Sequence, residues 1–124
     1  MIEMTLPWPP SVNSYWRHPS SGALAGRNLI SEQGRAYRSE VVAHAILQRM
    51  VNSALSGRLA IEIQAFPPDK RRRDLDNILK ALLDSITHAG IIEDDSQFDA
   101  IAIARRECLK PGRVEIKIFQ LENL

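Results

Sequence analysis

Leu75-Asp-Asn-Ile-Leu-Lys-Ala-Leu-Leu-Asp-Ser-Ile-Thr-His-Ala-Gly90 is the stretch that organises this chain. Leu75, Ile78, Leu79, Leu82, Leu83, Ile86 and Ala89 recur at a spacing of about 3.6 residues, so one face of a helix is apolar. Asp76, Lys80, Asp84 and Thr87 fall on the opposite face. Gly90 stands where a left-handed C-terminal cap belongs. The pattern predicts a helix over 75–89, buried along one side.

On either side of it lie strands. Leu59, Ile61 and Ile63 alternate with Ala60, Glu62 and Gln64 up to Pro67-Pro68, where proline ends the ladder. Residues 98–107 and 113–121 read as two further strands, joined by Lys110-Pro111-Gly112 into a hairpin. At the other end, Ile2, Met4 and Leu6 alternate with Glu3 and Thr5 until Pro7, Pro9 and Pro10. Residues 11–30 read as a long loop, with Leu29-Ile30 extended. Ser31 is the expected N-cap of a helix running to about Met50, whose stripe of Tyr37, Val41 and Ala45 is interrupted by Arg38. The expected fold is therefore α+β (two-layer α/β), a single mixed sheet of about four strands with two main helices. The order is β-α-β-α-β-β, in one domain over 1–124.

Composition narrows the function. The net charge of +1 means that any affinity for a polyanion comes from clustered charge. Cys108 is the only cysteine, which excludes an intrachain disulfide and a thiolate metal cage. No apolar run approaches the roughly 20 residues of a membrane span. The expectation is a cytoplasmic protein with no membrane partner.

Just before the clear helix, Lys70, Arg71, Arg72 and Arg73 abut Asp74 and Asp76, and Glu93, Asp94 and Asp95 follow it. Opposite charges crowded together suit a site holding a metal cation and a polyanion at once. Basic groups bind phosphate, and carboxylates bind the hard cation that polarises it. A phosphodiester-cleaving nuclease is the natural candidate. By themselves, Asp74 and Asp76 also fit an N-cap and a complement to the helix dipole, and Asp76 with Lys80 fits an exposed ion pair. The histidines His18, His44 and His88 are scattered, so no zinc spacing exists. In the first loop, Tyr15, Trp16 and Arg17 are candidates to stack on exposed bases, and Trp8 reads as packing. The alternative for these aromatics is burial over the sheet.

Arg-Arg-Arg-Asp74-Leu-Asp76-Asn-x-x-Lys80, a helix ending in Ala89-Gly90, and Asp94-Asp95-x-Gln97 resemble the RusA family of Holliday junction resolvases. The resemblance extends to Leu6-Pro-Trp-Pro-Pro-Ser-x-Asn13 with Tyr15-x-Arg17-His18, to Ser31-x-x-Gly34-x-Ala36-Tyr37-Arg38, and to Lys110-x-Gly112-Arg113. It implies a homodimeric, magnesium-dependent endonuclease, with manganese as a substitute, that nicks branched DNA at four-way junctions. It further implies catalytic and metal-binding roles for Asp74, Asp76 and Asp95, a catalytic role for Lys80, and DNA contacts from Lys70, Arg71, Arg72, Arg73 and Asn77. Asn13, Tyr15, Trp16 and Arg17 complete the expected DNA surface. His88 stands where a basic residue is expected. The alternatives are a related nuclease on other branched or phage DNA, and a non-catalytic module that binds DNA structure. A phosphohydrolase of small nucleotides is disfavoured by the absence of a glycine-rich phosphate loop.

Geometry adds a constraint. A helix over 75–89 is about 22 Å long, and an extended return to Asp95 reaches about 20 Å. Asp95 can meet Asp74 only if the helix is shorter, if the carboxylates precede it, or if a partner subunit shares the site.

Overall fold

The computed structural model describes residues 1–121 of the chain, so the single-domain expectation for 1–124 includes three residues outside it. Strand β1 (Ile2–Pro7) is followed by a short helix α1 (Val12–Tyr15), strands β2 (Trp16–Arg17) and β3 (Leu29–Ile30), and helix α2 (Glu32–Leu47). Strand β4 (Leu59–Phe66), helix α3 (Leu79–His88) and strands β5 (Phe98–Arg105) and β6 (Arg113–Gln120) complete the fold. The main elements keep the expected order and the mixed four-stranded sheet. The segment expected as loop also folds, into α1 and a two-stranded ribbon of β2 and β3.

The main sheet runs β1-β6-β4-β5. Strands β4 and β5 are parallel, Ile61 beside Ile101, and β6 is antiparallel to both β1 and β4. The expected hairpin of the last two strands does not form, because β4 lies between them. After β5 the chain crosses the end of β4, held by Arg106 N–H donating to the Ala65 carbonyl (2.7 Å) and Leu109 N–H to that of Pro67 (2.9 Å). Alternation shows which residues face the core but not which strand is the neighbour.

Ile2, Met4 and Leu6, Leu59, Ile61 and Ile63, and Val114, Ile116 and Ile118 all turn to one face. There they form one core with Tyr37, Val41 and Ala45 of α2 and with Leu82 and Ile86 of α3. Both helices therefore cover the same side, and the other side is open and polar. Gly90 adopts the expected positive φ, +74°, after α3.

The Ser31–Arg38 segment is a clasp. Ser31 Oγ accepts the Gly34 N–H (2.9 Å) and donates to the Ser14 carbonyl (2.5 Å). Gly34 permits the close approach, since a Cβ there would lie 2.6 Å from the Tyr15 carbonyl oxygen. Tyr37 donates to the Pro7 carbonyl (2.8 Å). Arg38 donates through Nε to the Tyr15 hydroxyl (2.9 Å) and through Nη2 to Asp84 of α3 (2.5 Å). Tyr15, fully buried, donates its own hydroxyl to Asp84. Burial raises the Tyr15 phenol to about 12, and the Asp84 carboxylate adds to that rise. Burial also works against ionised Asp84, but hydrogen bonds from Tyr15 and Arg38 outweigh it and hold its carboxyl below the usual range.

Two outcomes are expected from this clasp. Gly34→Ala, which would stabilise an ordinary helix by about 1 kcal/mol, should instead lower the melting temperature. Asp84→Asn should cost about 1–3 kcal/mol near pH 7, because charge-assisted hydrogen bonds are lost and Arg38 is left unpaired. The folded carboxyl titrates below its unfolded value, so this contribution is complete above about pH 4–5 and fades as pH falls further. Thermal melts of both proteins should therefore converge in acid.

Candidate active site

The predicted helix divides in two. Leu75–Ile78 is a 3-10 turn, entered through the Asn77 N–H donating to the Asp74 carbonyl (3.1 Å), and only Leu79–His88 is α-helical. At about 1.5 Å per residue, the α-helical part is near 15 Å long. Asp74 and Asp76 thus precede α3 rather than lie on it, and the expected ion pair of Asp76 with Lys80 is absent among the described residues.

The aspartates sort into two groups. Asp69 is bound by Arg73 (2.7 Å) and by the Arg71 N–H (2.9 Å). Asp84 belongs to the clasp, and Asp99 pairs with Arg58. Asp94 caps the 3-10 turn Asp95–Gln97 by accepting the Ser96 N–H (2.9 Å). Among the described residues, no hydrogen bond or ion pair reaches the carboxylates of Asp74, Asp76 or Asp95. Asp74 occupies an N-cap position without making the cap bond. The reading of Asp74 as a cap therefore fails, and Asp94 does that work for its own turn. Gln97, nearly buried, accepts the N–H groups of Glu93 and Asp94 and donates to the Leu55 and Gly57 carbonyls. It fixes the turn that presents Asp95.

Asp74 and Asp95 are reached from opposite ends of β5. Arg105, at the C-terminal end of β5, donates to the Arg73 carbonyl (2.8 Å), whereas Asp95 lies just before Phe98. Lys80 lies between, close enough for its charge to act on both Asp84 and Asp94. On Asp94 the hydrogen bonds from Ser96 dominate, and Lys80 adds to the lowering. Lys80 also sets its ammonium 5.8 Å from the Trp16 ring centroid. Among the described residues, no three His, Cys, Asp or Glu side chains converge to hold a metal ion. Asp74, Asp76 and Asp95 still fit a hard divalent cation chemically, since all are oxygen donors with no protein partner. Magnesium commonly takes one or two carboxylates and completes its shell with water and phosphate.

The basic loop is less uniform than its sequence. Lys70, Arg71 and Arg72 are exposed. Arg73 is largely occupied: it binds Asp69 and lies 5.8 Å over the Trp8 ring. The Arg73 hydrogen bond, then the Arg71 N–H, lower the Asp69 carboxyl to about 2. Sequence reasoning missed Arg105, which the parallel β4–β5 pairing brings to the end of β4, Arg106 beside it, which donates to Gln64, and Lys110, which follows the Leu109–Pro67 hydrogen bond. The signal was the Arg105-Arg106 pair at a strand end. In the first loop, Asn13 and Arg17 are exposed and Trp16 is half-buried. Tyr15 is a correction. Its ring is buried and its hydroxyl is engaged in the clasp, so it cannot stack on a base.

The family described as Endodeoxyribonuclease RusA matches residues 7–119. The chain is 46% identical over 122 residues to the crossover junction endodeoxyribonuclease of Enterobacteria phage HK97, covering 98% of this chain and 97% of the relative. It is 41% identical over 120 residues to the corresponding protein of Escherichia coli (strain K12), covering 97% and 95%. To that of Enterobacteria phage 82 it is 42% identical, with the same coverage.

The two kinds of cation in the loop should respond differently to truncation. Arg72→Ala should weaken binding to a DNA junction and lower the slope of log affinity against log salt by about 1, leaving the melting temperature unchanged. Arg73→Ala should lower the melting temperature as well, because Asp69 and Trp8 lose their partner. Salt titrations of binding alongside thermal melts separate the two.

Proposed function

Since this chain belongs to the RusA family, we infer that it is an endodeoxyribonuclease that resolves Holliday junctions, four-way DNA intermediates of recombination and repair. One observation supports locating the chemistry at Asp74, Asp76 and Asp95. Among the described residues these aspartates have no hydrogen-bond or ion-pair partner, while every other aspartate is engaged. Carboxylates kept exposed and unpaired beside a basic loop, as at Asp74 and Asp76, gain nothing for the fold, so their use lies in a ligand.

In this reading Asp74, Asp76 and Asp95 would hold magnesium, or manganese in its place, which polarises the scissile phosphate and lowers the pKa of an attacking water. Lys80 supplies a positive charge for the developing charge on phosphorus. Its side chain is exposed, with the ammonium 5.8 Å from the Trp16 ring centroid. Lys70, Arg71 and Arg72, joined by Arg105, Arg106 and Lys110, grip the backbone, where phosphate contacts position the substrate without reading its sequence. Arg73 acts chiefly by shaping the loop. Asn77, Asn13, Trp16 and Arg17 would add to the DNA contacts. Resolution needs two opposed cuts, which supports a homodimer with twofold symmetry. Relatives from phages and bacteria support a cytoplasmic enzyme of bacterial or prophage origin. Among the described residues, no helix is long and apolar enough to cross a membrane.

The test is cleavage of a synthetic mobile four-way junction beside linear duplex of the same sequence, with and without magnesium. Wild type should make paired, ligatable nicks in the junction alone. Asp76→Asn should lose at least about 100-fold in rate while still binding, the scale of loss for a group acting on the transition state. Binding by the wild type without cutting, in magnesium and in manganese, would overturn the assignment in favour of a structural DNA-binding module.

A further inference from the structure

The two edges of the main sheet are treated differently. At the β1 edge, Gln48 stands in for a neighbouring strand: its side chain accepts the Thr5 N–H (3.1 Å) and donates to the Thr5 carbonyl (2.9 Å). Pro7 closes that edge without an N–H to offer. At the other edge, β5 has no such cover among the described residues. Ala100, Ile101 and Ala102 are exposed, Ile101 by 44%. Long apolar edges are normally blunted with lysine, proline or a bulge, because unpaired N–H and C=O groups template further pairing. β5 carries neither lysine nor proline, and its one register shift falls near its start, at Asp99, leaving Ala100 to Arg105 regularly paired.

Its sequence also has a symmetry. Asp99-Ala-Ile-Ala-Ile-Ala-Arg105 reads the same in both directions around Ala102, except that its ends carry opposite charges. The backbone agrees with this centre. Arg106 directs its N–H to Ala65 of β4. In a parallel ladder the inward and outward residues alternate, so along the regularly paired stretch Ile101, Ile103 and Arg105 turn their N–H and C=O groups outward. A second strand laid antiparallel about Ala102 would then set Ile101 against Ile103 as hydrogen-bonded pairs, and bring Asp99, which holds Arg58, near Arg105 of the other copy. Ala102 would face its own counterpart in a non-hydrogen-bonded pair, where Cα atoms approach to about 4.5 Å and a small side chain fits.

We propose that the β5 edge is the homodimer interface, joining two copies of this chain through antiparallel β5 strands into one eight-stranded sheet with the twofold axis at Ala102. The arrangement is isologous, as a C2 interface must be. The helices of both copies lie on one side of the joined sheet. The reversal brings the Asp95–Gln97 turn of one copy towards the strand end at which Arg105 of the other holds the Arg73 carbonyl. This proposal rests on the homodimer reading given above and names the surface that makes it.

The experiment uses the full chain with Cys108→Ser, adding Ala102→Cys or, as a control, Ala100→Cys, under mild oxidation. Light scattering after size exclusion gives the mass before cross-linking. The expected result is a dimer that Ala102→Cys locks into a covalent pair on non-reducing gels, the approach being within disulfide reach of about 4.4–6.8 Å between Cα atoms. Ala100→Cys, opposite Ala104, should not cross-link to itself. Ile101→Lys, at an exposed position that leaves the core intact, should convert the dimer to a folded monomer. A dimer that does not cross-link at Ala102, or that persists in Ile101→Lys, would overturn the β5 interface and leave the homodimer standing. A monomeric wild type would overturn both.

Discussion

One half-buried carboxylate holds the helical layer together. Asp84 of α3 takes hydrogen bonds from Tyr15 at the end of α1 and from Arg38 of α2, so three helices meet at a single negative charge. Such a group costs desolvation and is tolerated only when its partners are in place. With them in place, it sets the spacing of α1, α2 and α3 on the sheet. Trp16 follows Tyr15, and Lys80 lies one turn before Asp84. The clasp therefore also positions the cation–π contact of Lys80 with Trp16 at the edge of the candidate site. Residues of the clasp and of the candidate site alternate along the same short segments.

The contrast among the aspartates follows the same logic. A carboxylate with an arginine or a backbone N–H in reach is part of the fold, and its acidity is lowered accordingly, as at Asp69 and Asp84. Adjacent residues divide the work: Asp94 caps its turn, and Asp95 has no hydrogen-bond or ion-pair partner among the described residues. The cations divide likewise, Arg73 serving the loop and Arg72 facing solvent.

Much of the fold was legible from periodicity. The core faces of β1, β4 and β6, the N-cap at Ser31 and the C-terminal turn at Gly90 are set by local chemistry, alternation, a hydroxyl acceptor and a positive φ, all of which act within a few residues. The hairpin expected of the last two strands failed because pairing is a long-range choice, and β6 gains more by inserting between β1 and β4, where both its edges are paired. The ribbon of β2 and β3 was hidden because strands of two residues carry no period. Tyr15 was misread for a related reason. An aromatic in a polar loop looks available for stacking, and only the return of α2 and α3 over it buries the ring.

By itself, the sequence determined the candidate residues: a basic run, the aspartates on either side of one amphipathic helix, and a motif specific enough to imply the family. Charge and spacing are local properties, and they survive without knowledge of the fold. Tertiary structure alone decided which of those charges are free. Whether a carboxylate is spent depends on the partner brought to it from distant sequence, as Arg38 is brought to Asp84. The same holds for the sheet edges. Alternation makes β1 and β5 look alike as strands, but the fold covers the β1 edge with Gln48 at the end of α2 and, among the described residues, leaves the β5 edge without such a cover.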